Sequence, residues 1–210
     1  MSDQPSEVVT GVRRIFSVPA VYSFAQRAVG ADKLRNALVD EILRIEPGLK
    51  IVDIGCGPAD ILEHLPEVDY VGFDHSESYI ESARSRFGDR GRFINMAAGD
   101  VDLDEFAPRD LAMSVGVLHH LDDDEVLDAL QTAKTVLGDD GRFVSVDPTF
   151  ADGQHPIGRF LASRDRGQHV RTPEQTEALV TQVFDDVTVQ ARHDLLRVPY
   201  SHVLVEARAA

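Results

Sequence analysis

Ile51-Val-Asp-Ile-Gly-Cys-Gly-Pro-Ala-Asp60 is the stretch from which the fold can be read. An apolar run (Ile51, Val52, Ile54) is punctuated by an acid, Asp53, and meets two glycines, Gly55 and Gly57, with a helix expected to open at Ala59 or Asp60. Glycine has no Cβ, so the turn can be tight and its N–H groups can approach a ligand. A strand running through such a turn into a helix is how backbone passes close under a nucleoside-bearing cofactor at the carboxyl end of a parallel strand. By itself the glycine loop is a weak signal. The next strand, Tyr70-Val-Gly-Phe-Asp74, also ends in an acid and narrows its meaning.

Working outward, strand-like segments fall at 50–54, 70–73, 92–95, 111–115 and 142–146. Helical segments are expected at 33–45, 59–65, 76–87, 122–137 and 173–184. The first of these places Leu34, Leu38, Ile42 and Ile45 at helical spacing, and Pro47-Gly48 stops it. Thr172-Pro-Glu-Gln175 carries a cap, a proline at the first helical position and a glutamine that completes a capping box. Strands alternating with helices imply crossovers and a parallel sheet covered on both faces. Segments 187–191 and 202–207 break that alternation, because too few residues join them for a crossover helix, so they are expected to pair antiparallel.

Composition limits the partners. The chain has 210 residues, 43% hydrophobic, which suits one globular domain. Its formal net charge is −15, with 36 acidic against 21 basic residues, and such a surface repels nucleic acid. The single cysteine, Cys56, leaves no intramolecular disulfide and suits a reducing compartment. The first residues, MSDQPSEVV, lack the basic and apolar regions of a secretory signal, and no stretch reaches the roughly 20 apolar residues of a membrane helix. A cytoplasmic protein without membrane insertion, monomeric or homodimeric, is expected.

Five elements in register, from about residue 33 to 208, resemble the class I S-adenosylmethionine (SAM)-dependent methyltransferases. The fold implied is an α/β three-layer sandwich with a seven-stranded, mostly parallel sheet in the order 3-2-1-4-5-7-6 and a C-terminal antiparallel hairpin. Asp53-Ile-Gly-Cys-Gly57 is similar to the family's first motif, with Ala59 where a third glycine is usual. The resemblance implies that Asp53, Gly55, Cys56 and Gly57 border the methionine portion of SAM, and that Asp74, with His75 beside it, holds the ribose hydroxyls. It also implies that Asp100 and Val101 meet the adenine, with Asp102 and Asp104 as competitors, and that Val115 lies beside the sulfonium. No metal is implied. A dinucleotide fingerprint fits poorly, because Asp60 stands where its third small residue belongs. Asp147-Pro-Thr-Phe150 resembles the Asp-Pro-Pro-Tyr of amino-methylating DNA enzymes but follows the fifth strand instead of the fourth.

Methyl transfer from a sulfonium is an in-line displacement, so the protein positions an acceptor and, for a hydroxyl, removes its proton. His119 and His120, just past the fourth strand, and Asp147, at the end of the fifth, are the candidate catalytic groups. The alternative for the histidines is packing at a helix start with a backbone hydrogen bond. Residues 147–172 form a basic island in an acidic chain, with His155, Arg159, Arg164, Arg166, His169 and Arg171. Guanidinium groups there suit carboxylate, phosphate or sugar hydroxyls of a small-molecule acceptor, and a solvated charged loop is the alternative. Tyr22, in an aromatic leader (1–32) that either lids the cofactor or packs as core, and Tyr200, in the terminal hairpin with His202, complete the candidate acceptor residues.

Overall fold

The computed structural model describes residues 37–96, 105–164, 168–196 and 198–208. Seven strands form one sheet: β1 (Lys50–Ile54), β2 (Asp69–Asp74), β3 (Arg92–Asn95), β4 (Arg109–Val115), β5 (Leu137–Pro148), β6 (Asp186–Arg192) and β7 (His202–Arg208). Their order is β3-β2-β1-β4-β5-β7-β6. The first five run parallel, and β7 lies antiparallel to both β5 and β6. The expected topology is thus the observed one.

The period-2 alternation of the strands separates two cores. Ile51, Tyr70, Leu111, Met113 and Val144 pack on one face with α1 (Glu77–Phe87), through Ile80, Ala83 and Phe87, and with the π-helical segment Ala37–Ile42. Val52, Val71, Phe73, Ala112, Phe143 and Val205 pack on the other against α2 (Asp123–Val136) and, further along the chain, Leu179, Val180 and Phe184. A fully buried side chain of this size stabilises by about 1.5–3 kcal/mol. Asp122 and Glu125 close a reciprocal capping box at the start of α2.

Local departures have local causes. The helix expected at 59–65 is a single 3₁₀ turn, Asp60–Glu63, because Ala59 is left-handed (φ 56°) and Pro66 follows closely. The helix expected to end at 137 stops at Val136, and β5 starts at once: Leu137 pairs with Arg109, then Arg142 pairs with Leu111, so 138–141 leave the ladder as a bulge. A helix not expected from the sequence, α3 (Pro156–Ala162), lies inside the basic island. The helix expected at 173–184 is α4 (Pro173–Val180), with the predicted Thr172–Gln175 capping box. The 1–32 leader, Tyr22 included, lies outside the described residues.

Candidate active site

The glycine loop and the end of β2 are built into each other. Gly55 and Cys56 both donate their N–H to the Phe73 carbonyl, each at 2.8 Å. Gly57 donates to Asp74 Oδ2 at 2.9 Å, and Ser76 to Asp74 Oδ1 at 2.8 Å. Asp74 is buried, yet a carboxylate offers about four lone-pair sites, so two remain for adjacent hydroxyls. Gly55 (φ 78°) has no room for a side chain, since a Cβ would lie 2.6 Å from Val117 Cγ2. At Gly57 (φ 54°) a Cβ would meet nothing within 4 Å, so this is the open side of the loop. His75 is exposed, its Nδ1 3.7 Å from Asp74 Oδ1. Cys56 fills a tight site. Its thiol turns to the sheet against Gly72, where a Cβ would lie 2.7 Å from Sγ, so only its backbone borders the loop. Burial, then the charges of Asp53 and Asp74, push that thiol far above its usual range.

Asp53 is buried and accepts from the Tyr70 hydroxyl at 2.6 Å. Burial raises its pKa to about 7; the Tyr70 hydrogen bond opposes this and the Asp74 charge adds to it. The folded state therefore holds a proton on Asp53 over a range where the unfolded chain, titrating near 3.8, has lost it. That stability is fully present below about pH 4 and is lost as pH rises through about 7. In SAM-free protein, Asp53→Asn should flatten the fall in melting temperature between pH 5 and pH 8 by at least about 3 °C, measured by calorimetry. An unchanged slope would place the titration elsewhere.

At the carboxyl ends of β4 and β5 a second constellation forms. Turn Leu118–His120 follows β4, and His119 within it is buried. Its Nδ1 lies 2.8 Å from Asp147 Oδ1, and its backbone N–H donates to the same oxygen at 3.2 Å. With the carboxylate accepting, Nδ1 carries the proton and Nε2 is the basic nitrogen. Asp147 Oδ2 is buried and accepts no hydrogen bond among the described residues. His120 is exposed, with its ring centroid 4.0 Å from that of His119. Val115, half-buried at the end of β4, pairs with Val146. His202, at the start of β7, is buried, and burial brings its pKa down to about 4; Asp147 opposes that shift and His119 adds to it. It is a neutral imidazole, its ring centroid 5.3 Å from that of Tyr200.

The acceptor candidates are only partly gathered here. His155 Nδ1 accepts from the Ile157 N–H at 3.2 Å and caps α3, which accounts for this side chain structurally. Arg159 sits 5.5 Å over Phe150 and Arg164 5.3 Å over Phe160. α3 docks through Gly158, where a Cβ would come 1.8 Å from the Pro199 carbonyl, and exposes Ile157, Phe160 and Leu161. Asp100, Val101 and Arg166 lie outside the described residues, as do the competitors Asp102 and Asp104. Sequence reasoning missed Tyr70 as the partner of Asp53. It also read His169 only as part of a basic island, whereas the His169 N–H donates to the His119 carbonyl at 3.0 Å.

Residues 52–143 match a family model described as a methyltransferase domain. No curated protein matches the chain. Among solved structures, the chain is similar to a possible exported protein from Bordetella parapertussis (21% identity, TM-score 0.66, covering all of this chain and 77% of that one). It is also similar to the mitomycin 7-O-methyltransferase MmcR (19%, TM-score 0.66, 93% and 59%), so it spans about three fifths of that protein's length. A TehB-like SAM-dependent methyltransferase from Corynebacterium glutamicum shares 22% identity (TM-score 0.60, 89% and 96%). The loop open at Gly57, backed by Asp74, fits the cofactor that this family uses. The strand order and the antiparallel closing pair give the chain the Rossmann-like fold of these structures, and its residues 52–143 match the methyltransferase-domain family.

Proposed function

We propose that the protein transfers the methyl group of SAM to an oxygen of a polar or anionic small molecule, a metabolite, sugar or lipid-linked acceptor, with His119 as general base. The buried His119–Asp147 pair carries this reading. When bound, SAM supplies an electrophilic methyl on a sulfonium. Gly55, Gly57 and Asp74 hold the cofactor, with Asp100 and Val101 at the adenine. Asp147 fixes the tautomer of His119, and Nε2 takes the acceptor's hydroxyl proton as the new O–C bond forms and the S–C bond breaks. Arg159, Arg164 and Arg166, with Tyr22 and Tyr200, orient the acceptor. The exposed Ile157, Phe160 and Leu161 beside two guanidinium groups suit an acceptor with both an apolar body and an anionic group.

The test is release of S-adenosylhomocysteine (SAH) over a panel of phenols, carboxylates, sugar alcohols and amines. Turnover with hydroxyl acceptors that needs His119 supports O-methylation. Turnover confined to amines that survives a His119/His120 double-alanine variant would replace it with N-methylation. Binding of SAH without turnover on any acceptor would mean a cofactor-binding protein instead of an enzyme.

A further inference from the structure

We propose that Arg171 is a positioning residue that holds the His119 turn closed onto Asp147 and ties that turn to the segment after β5. This rests on the reading of His119 as the base. The Arg171 side chain is 11% exposed, and it spends its donors on backbone. Nη1 donates to the carbonyl of Leu118 at 2.8 Å, and Nη2 to that of Leu121 at 2.8 Å. These two carbonyls bracket His119 and His120. Nε and Nη2 also reach Asp123 Oδ1, at 3.0 and 2.7 Å, and Asp123 is the first residue of α2.

The other end of Arg171 is held as well. Its carbonyl accepts from Thr149 Oγ1 at 2.8 Å, two residues beyond Asp147. A closed circuit results: Asp147 to the His119 ring, the turn carbonyls to the guanidinium, and the Arg171 backbone to Thr149. Only a planar fork can serve two carbonyls three residues apart and a carboxylate at once, and lysine presents a single point donor. The basic island therefore contributes one cation that never meets the acceptor. A shift of residues 168–171 as an acceptor docks reaches the base through this residue, alongside the His169 N–H bond to the His119 carbonyl.

The experiment is histidine-selective ¹⁵N NMR of the full chain with SAH bound, the His119 ring signal being assigned by its loss in His119→Gln. The wild type should show a protected Nδ1–H on His119. In Arg171→Met that proton should exchange about tenfold faster, through local opening of the turn. Arg171→Lys should fail to restore it. SAH affinity and the exchange of β1 amides should stay within about twofold in both, as for an independent site. Asp123→Ala, which removes only the exposed anchor, should speed exchange by a smaller factor, and it serves if Arg171→Met does not fold. An unprotected Nδ1–H in the wild type, or an unchanged ring signal in these variants, would overturn the proposal. If His119→Ala keeps full turnover while Arg171→Met still releases the ring, the base assignment falls and the positioning stands.

Discussion

Asp74→Ala should lower the affinity for SAH by roughly 1.5–3 kcal/mol, on the order of 10- to 150-fold, in titration calorimetry. Two losses combine. The carboxylate is the acceptor proposed for the ribose hydroxyls, and charge-assisted hydrogen bonds of this kind sit at the upper end of the usual range. It also accepts from the Gly57 N–H and from Ser76, so alanine frees the glycine loop as well as removing the ligand contact. Asp74→Asn keeps an oxygen but only one, so a smaller loss is expected. Affinity within twofold of wild type in the alanine variant would show that the ribose is held elsewhere.

The second large effect concerns turnover. His119→Ala should cut kcat by about 10²- to 10⁴-fold on a hydroxyl acceptor, the usual range for a general base. SAH affinity should be preserved, because the cofactor loop is built by β1 and β2. His120→Ala should matter less than about tenfold. Its ring is exposed, whereas His119 is buried against a carboxylate that fixes its tautomer. Asp147→Asn should fall between them, since an amide can present a donor to Nδ1 and select the wrong tautomer. Equal rates for wild type and His119→Ala would reduce the pair to a structural latch and leave methylation to an acceptor that needs no base.

The strands were legible as short apolar runs and the antiparallel closing pair from its short connection, whereas the strand order came with the resemblance to the class I methyltransferases. Asp53, Asp74 and the two glycines were legible because strand, acid and glycine occur in the order in which the chain builds the loop. The histidines were visible only as types. Nothing local says that His119 turns inward while His120 stays in solvent; that follows from Asp147, 28 residues away. Cys56 was legible as a small loop residue, and the register of β1 against β2 shows that its thiol fills the space left by Gly72. Arg171 read as one cation among several because its partners are main-chain carbonyls, which a sequence does not display.

The placement of β7 has a consequence for how the protein comes into being. β7 enters between β5 and β6 and pairs with both, so on the ribosome the edge of β5 that carries Asp147 stays unmatched until residues 202–208 have emerged. The nascent chain can complete its glycine loop early, from β1 and β2, but the half that holds the His119–Asp147 pair waits for β7. An unmatched apolar edge is a template for mispairing with another chain. Chaperone dependence and aggregation of truncated products should therefore concentrate in the interval between synthesis of β5 and synthesis of β7.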